Sequence, residues 1–341
     1  MKFSIIIPVY NVEKFLSRCM DCALNQSFHD YEVIAVNDGS TDSSMDILSK
    51  FQASYPQLKI ITQKNKGLGG ARNTGIKDST GDYLIFLDSD DYIPLNMLEI
   101  INEYISTNHP DLLAFDHTMV DTSGHILSNP TISEFSDPYT TLSQKQFLLL
   151  EPSACFKVYR RTLFTEYSIS FPEKLWYEDL ATIFKLVPHA NRLGYLKESL
   201  YYYVQNDASI THSRNTTRMK EIKTAFASTL QYYRENHLFE TYYDELEWNG
   251  ILHVLYYSAY RFLGYFYCRN EMKEMYHYID STFPGWEHNK YLAKETGKRY
   301  LIDLIRDRQC LRFYLRTGFL VHYINPIIKH IKQIRGDTHE D

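Results

Sequence analysis

Through roughly the first 115 residues, short apolar runs alternate with stretches whose apolar positions recur at helical spacing. The runs are Phe3 to Val9, Tyr31 to Val36, Leu58 to Thr62 and Tyr83 to Leu87, each of strand length. Between them, helical spacing covers Glu13 to Leu24, Ser43 to Ala53 and Gly70 to Lys77, and a further helix is predicted over Pro94 to Ser106. Thr41 and Asp42 supply an N-cap for the second helix, and Pro94 suits the first turn of the fourth. This alternation predicts an α/β fold built on a parallel sheet. Right-handed crossovers bring the carboxyl ends of its strands to one edge, where ligands bind in open α/β sheets.

Four polar loops are delivered to that edge: PVYN after the first strand, NDGSTD after the second, QKNKGLGGARN after the third and DSDD after the fourth. The last places three carboxylates within four residues of an apolar strand. A solvated turn would account for such a stretch by itself. A turn has no reason, however, to share its edge with three other polar loops, so a binding site is the expectation.

From Asp111 to about Tyr203 the pattern is mixed, with short strands and helices interleaved. Within it, an aromatic, Pro-containing loop in Phe171 to Val187 runs into Glu178 and Asp179 at the start of a helix. After Ser213 the pattern is helical almost to the end, with Tyr-rich amphipathic segments at Arg218 to Glu235, Tyr242 to Tyr267 and Tyr300 to Tyr314. A boundary near Asn215 is predicted, dividing an α/β domain (1–214) from a helical region (215–341).

Composition narrows the class. An apolar content of 44% over 341 residues is ample for a buried core. Five cysteines without a dense framework fit a reducing compartment, and the Cys19/Cys22 pair falls on a predicted amphipathic helix without a second pair, so a metal or redox role is not expected. The start, MKFSIIIPVY, lacks the anatomy of a signal peptide and reads as a first strand. The run nearest to a membrane span, Ile251 to Cys268, is interrupted by His253 and Arg261, so a soluble or peripheral protein is expected. A net charge of −6 argues against a generic nucleic-acid binder. Arg306 to Arg335 runs the other way, with seven Lys or Arg and one acid. Such a basic, aromatic segment fits an anionic membrane surface, a contact with another subunit or a solvated helix face.

The candidate chemistry lies in the loops. Asp88 and Asp90, one residue apart, can reach a single divalent cation, and their hard oxygens suit Mg²⁺ or Mn²⁺ with a diphosphate completing the coordination. Asp91 reads as a cap for the helix that follows. Asp38 can accept from a nucleobase imide or a ribose hydroxyl, or form an Asx-turn with Gly39 and Ser40. Tyr10 can stack on a base, and Arg72 can meet a phosphate or pair with a nearby Asp. GLGGARN lacks the GK[ST] ending of a P-loop.

SIIIPVYN, EVIAVNDGSTDSS, KNKGLGGARNTGI, GDYLIFLDSDD and WYEDLAT, in that order, resemble the family 2 glycosyltransferases of the GT-A fold over Phe3 to about Ser213. The resemblance implies a Rossmann-like mixed sheet flanked by helices, and inverting transfer from a nucleotide sugar, usually UDP-linked, to a hydroxyl of a glycan or lipid-linked acceptor. It implies that Tyr10 stacks on uracil, that Asp38 binds the base, and that Asp88 and Asp90 form a DXD motif for ribose and metal. Pro8, Gly67, Arg72 and Ser89 join the donor-binding set. Asp179 becomes the catalytic base, and Glu178 orients the acceptor or begins the helix. His212 is carried over as a third ligand to Mn²⁺ or Mg²⁺. Val204 stands where relatives often have Arg or Lys, which leaves Arg214 as a substitute partner for the diphosphate. A cytoplasmic protein at the inner face of a bacterial membrane, with possible homo-oligomer contacts through its C-terminal third, completes the expectation. A sugar nucleotidyltransferase and a non-catalytic carbohydrate-binding descendant are the competing readings.

Overall fold

Phe3–Val9 forms strand β1, and all seven of its residues are buried. That explains the unbroken apolar run: a strand covered on both faces needs no polar alternation. In the computed structural model, which describes residues 1–130, 137–206, 215–259, 262 and 269–292, β1 pairs in parallel with β2 (Tyr31–Asn37) and β4 (Tyr83–Phe86), and β2 pairs with β3 (Leu58–Thr62). The strands that follow are β5 (Leu112–Val120), β6 (Ile126–Ser128), β7 (Tyr139–Leu142), β8 (Lys157–Arg160) and β9 (Leu193–Val204). Sheet order is β3-β2-β1-β4-β8-β5-β9-β7, with β6 on β5. Because β8 is antiparallel to both β4 and β5, the sheet is mixed. β5 therefore runs with β4, and β9, parallel to β5, ends on the same edge. The chain moves from β1 outward through β2 to β3, then returns to the other side of β1 as β4, which makes a switch point beside the carboxyl end of β1.

Pro8 lies in this central strand, where a missing N–H would normally break a ladder. β4 ends opposite Ile6, and the Leu87 N–H donates to the Ile6 carbonyl. Pro8 shares the parity of Ile6, and the β1–β4 ladder stops where its missing N–H would have donated next.

Three helices cross between these strands: α1 (Leu16–Leu24), α2 (Ser44–Gln52) and α3 (Gly67–Asp78). α1 starts later than its spacing predicts because Asn11, Val12 and Glu13 donate their N–H groups to the side chains of Ser40, Ser44 and Asp42. These bonds tie the β1 loop to the β2 loop. Ser43 occupies the N-cap position of α2, while Asp42 Oδ1 accepts from the Ser44 N–H. α3 begins at Gly67 instead of Gly70, so its glycines lie inside the helix. α4 is Met97–Asn108, and Pro94 stays outside it, its carbonyl accepting from the Met97 N–H and from Gln26. Cys19 and Cys22 are buried free thiols on α1, the Cys22 thiol donating to the Cys19 carbonyl.

The chain divides into two compact units, Met1–Ser213 with Ala227–Leu238, and Arg214–Phe226 with Phe239–Asp341. The break at Arg214 lies beside the predicted boundary, but Ala227–Leu238 belongs with the first unit. In the helix Glu221–Glu235, Thr229 donates to the Leu180 carbonyl and Tyr233 to the Phe184 carbonyl, each at 2.8 Å. In the second unit the predicted Tyr242 to Tyr267 helix is an α-helix over Tyr243–Asn249 followed by a π-helical stretch, Gly250–Tyr256. A Cβ on Gly250 would lie 2.9 Å from Ile279 Cδ1, so the glycine permits the close approach of the helix Arg269–Thr282. Among the described residues, no helix is long and apolar enough to cross a membrane. His212, Arg214, Tyr300 to Tyr314 and the basic segment 306–335 lie outside the described residues.

Candidate active site

The DSDD loop leaves the end of β4 and is fastened from a distance. The Asp88 N–H donates to Tyr201 Oη at 3.1 Å, Tyr201 Oη donates to Asp91 Oδ2 at 2.7 Å, and the Val204 N–H donates to Asp91 Oδ1 at 2.7 Å. Asp91 is 2% exposed and caps no helix, contrary to the sequence expectation. It anchors the loop to β9. Burial and the neighbouring charges of Asp90 and Asp88 push its carboxyl well above the usual range. Val204, which stands where a basic residue was expected, supplies a backbone donor to this anchor.

Arg72, on α3, is buried and bridges two carboxylates. Its Nη2 donates to Asp88 Oδ1 at 2.9 Å, and its Nη1 donates to Glu178 Oε1. The guanidinium also lies 5.4 Å from the ring of Phe171 and 5.8 Å from that of Phe86. Of the two readings of Arg72, the ion pair is the one present. Glu178 is buried, which pushes its pKa up, and Arg72 pulls against that shift. Arg72 thus joins the acidic loop after β4 to the Glu178–Asp179 pair, two segments about ninety residues apart.

The glycines of KGLGGARN explain how the two segments come so close. A Cβ on Gly69 would lie 2.3 Å from the Pro172 carbonyl oxygen, and one on Gly67 would lie 3.0 Å from Lys174 Cα and N. Asn73 exchanges two hydrogen bonds with the Phe171 backbone, at 2.7 and 2.9 Å, and the Lys174 N–H donates to the Lys66 carbonyl. The Gly-rich stretch therefore serves as a packing surface for the Phe171–Lys174 loop. Tyr177 takes φ +64°, a left-handed conformation that costs a side-chain-bearing residue roughly 1–3 kcal/mol. Strain of this kind, one residue before Glu178, persists because the loop is pinned on both sides.

Asp179 follows, partly exposed. Its Oδ1 accepts from the Leu180 N–H at 2.7 Å, and no side chain among the described residues engages its Oδ2. Burial raises its pKa, against the opposing pull of Arg72. Lys157, 1% exposed, donates its ammonium to the carbonyls of Glu151 (2.5 Å) and Ser153 (2.9 Å). Desolvation draws the Lys157 pKa down to about 8, while Glu151 and Asp179 resist that change.

Asp38 is 3% exposed and organises the third loop: Oδ1 accepts from Gln63 Nε2 (2.7 Å) and the Lys66 N–H (2.8 Å), and Oδ2 accepts from the Gly67 N–H (2.8 Å). The side-chain bond in this loop is made one residue earlier, by Asn37 Oδ1 accepting from the Ser40 N–H three residues on, and it is not the Asx-turn expected of Asp38. Gly67 has φ +78°, which suits a glycine at the start of α3. Tyr10 is 53% exposed at the end of β1, Pro8 and Ser89 are buried, and Asp90 Oδ2 accepts from Asn206 Nδ2 at 3.0 Å. Burial and Asp88 raise the Asp90 pKa.

Residues 4–168 match the family model described as Glycosyl transferase family 2. The chain carries a family 2 glycosyltransferase domain. Among curated proteins, it is 33% identical over 214 residues to the glycosyltransferase GlyA of Streptococcus pneumoniae, covering 59% of this chain and 30% of that protein. It is also 33% identical over 208 residues to the poly(ribitol-phosphate) beta-N-acetylglucosaminyltransferase TarS of Staphylococcus aureus, covering 60% of this chain and 35% of TarS. The chain thus spans about a third of the length of these relatives. The crystal structure of S. aureus TarS 1-349 in complex with UDP-GlcNAc superposes with a TM-score of 0.69 at 21% identity, covering 93% of this chain and 91% of that one. The fold is GT-A.

Much of the candidate site lies beyond the span that the family model matches. Glu178, Asp179, Tyr201 and Asn206 all follow residue 168. Tyr201 and Asn206 were not singled out by sequence reading, although the edge rule could have found Asn206. It follows the end of β9 by two residues, on the same edge as the other loops. Tyr201 gave no local signal, being one aromatic among several in a strand.

Proposed function

We propose that the chain is an inverting, metal-dependent glycosyltransferase that moves a hexose or N-acetylhexosamine from a UDP-sugar to a hydroxyl of a glycan or lipid-linked acceptor. The observation that carries this reading is the Arg72 bridge, which holds the donor-side Asp88 and the acid pair Glu178–Asp179 within one constellation. The names of the relatives support it, TarS being a poly(ribitol-phosphate) beta-N-acetylglucosaminyltransferase whose residues 1-349 were crystallised with UDP-GlcNAc. The docked PVYN loop, without the Gly-rich basic stretch that a triphosphate needs, counts against a nucleotidyltransferase.

Asp179 is the base. Glu178 is neutralised by Arg72, whereas Asp179 keeps an oxygen that no described side chain occupies. As the acceptor oxygen bonds to the anomeric carbon, its proton passes to the Asp179 carboxylate. The bond from that carbon to the phosphate oxygen breaks, and its electron pair leaves with UDP. A pKa raised by burial makes Asp179 the better proton acceptor. Tyr10, exposed at the end of β1, offers a face to uracil. Asp38 retains about one of roughly four lone-pair positions for the base or ribose, the other three being filled.

The acidic loop fits a hard cation: Asp88 and Asp90 stand together at a strand end, and the amide oxygen of Asn206 is buried beside them without a partner among the described residues. Asp88 and Asp90 would hold Mn²⁺ or Mg²⁺, whose chemistry is to offset charge on the departing diphosphate. The basic segment 306–335 supports work at an anionic membrane surface on the cytoplasmic side.

Calorimetric titration of the protein with UDP, GDP and CDP, each with and without Mn²⁺, tests the donor site. UDP binding that requires Mn²⁺ and is lost in Asp90→Ala is the expected result. Failure of every nucleotide to bind would overturn the transferase reading in favour of a non-catalytic descendant.

A further inference from the structure

At the carboxyl edge of the sheet, three oxygen-bearing side chains each commit one atom to the protein and hold another back. Asp88 gives Oδ1 to Arg72 at 2.9 Å, and no side chain among the described residues engages its Oδ2. Asp90 gives Oδ2 to Asn206 Nδ2 at 3.0 Å, and its Oδ1 is likewise unengaged by described side chains. Asn206 uses Nδ2 for that bond, and its Oδ1 is buried with no hydrogen-bond partner among the described residues. The residue is 8% exposed. A buried carbonyl oxygen without a donor is destabilising, so a native site that keeps one calls for a partner beyond the described residues. Water would serve elsewhere on the surface. Beside two carboxylates, a cation would satisfy all three side chains at once.

We propose that Asn206 is a direct ligand of the divalent cation through Oδ1, alongside Asp88 and Asp90; the assignment rests on the metal-dependent reading above. Carboxylate and amide oxygens are hard donors suited to Mn²⁺ and Mg²⁺, which take few protein ligands and leave positions for water and phosphate. Among the described residues, no three His, Cys, Asp or Glu side chains are grouped to hold a metal, so the amide is the third donor that they offer. With Nδ2 and Asp90 Oδ2 committed to each other, Asp90 Oδ1 and Asn206 Oδ1 are the oxygens that would hold the cation. Register supports the placement. Asn206 lies two residues past Val204, whose N–H is fixed on Asp91, so the anchor of the acidic loop also positions the amide.

The test is Mn²⁺ binding to the full chain, with and without UDP, followed by electron paramagnetic resonance of the free ion and requiring no turnover. Asn206→Ala is expected to weaken Mn²⁺ binding by roughly tenfold or more, the range in which altered metal surroundings act. Asn206→Asp removes the donor to Asp90 but keeps an oxygen, and is expected to bind Mn²⁺ as well as the native chain or better. Two results overturn the assignment: native-like Mn²⁺ affinity in Asn206→Ala, or equal weakening in both variants, which would leave Asn206 holding Asp90 without touching the metal. A native chain that binds UDP but no Mn²⁺ would instead sink the metal-dependent reading, and this assignment with it. Thermal melting of each variant establishes that it is folded.

Discussion

Arg72→Met removes the one cation that joins Asp88 to Glu178. It leaves Glu178, whose side chain is 10% exposed, and Asp88, at 31%, with no opposite charge in contact among the described residues. Breaking a buried pair costs roughly 3–5 kcal/mol, because the surviving charge stays desolvated. Two stranded carboxylates put the expected loss near the top of that range. Glu178→Gln preserves shape and removes charge, and Arg72 keeps Asp88, so about 1–3 kcal/mol is expected from one lost charged hydrogen bond. In the double variant only Asp88 is stranded, and water can reach it. The double loss should therefore fall short of the sum by about 1–3 kcal/mol, the coupling of residues in one network. Arg72→Lys should be intermediate, since a point charge cannot serve two carboxylates as a planar fork does. Urea unfolding followed by circular dichroism at pH 7.5 measures all four forms. The pH dependence adds a check of sign. Burial already holds the folded pKa of Glu178 above its unfolded value, so the group stabilises least when ionised, and removing Arg72 raises that pKa further. The penalty of Arg72→Met should grow as pH rises through about 7, where Glu178 ionises in the native chain while its variant counterpart still holds the proton. Additive single losses, or a penalty independent of pH, would show that the bridge does not exist in solution.

Gly69→Ala would normally favour a helix, but here the new methyl meets the Pro172 carbonyl, with 2.3 Å available, so we expect a loss of roughly 1–3 kcal/mol from overpacking. Transfer activity should fall much further than UDP affinity, because the displaced loop leads to Asp179; unchanged turnover would refute the packing role of the glycines. His117 is buried, stacked on Phe156 with ring centroids 4.0 Å apart, and desolvation lowers its pKa to about 4. The unfolded chain binds that proton near pH 6.5, so between about 6.5 and 4 stability is lost as pH falls, by up to about 3 kcal/mol. His117→Phe should flatten that part of the curve in denaturation measured from pH 4.5 to 7.5, and an unaltered slope would assign it to other groups.

The amino-acid sequence by itself determined the first four strands, their order of appearance and the edge to which their loops are delivered. Those features follow from local periodicity and from the handedness of crossovers, which need no knowledge of distant partners. β1 and β3 match their predicted limits, and the family 2 glycosyltransferase motifs lie on that edge. Helix starts shifted where backbone donors found side chains across a loop, as at Glu13 and Asp42. What only the tertiary structure decided is the use made of each residue. Asp91 anchors β9 from 113 residues away instead of capping the next helix, Arg72 reaches Glu178 across 106 residues, and Asn206 meets Asp90 across 116. The glycines after Lys66 are explained only by the loop that lies on them, and the larger part of the helix Glu221–Glu235, from Ala227 on, belongs to the first unit because Leu180 and Phe184 present carbonyls to it. A sequence pattern records which residues can bury, turn or carry charge. Which partner a buried charge meets depends on strands that are distant along the chain and adjacent in the sheet.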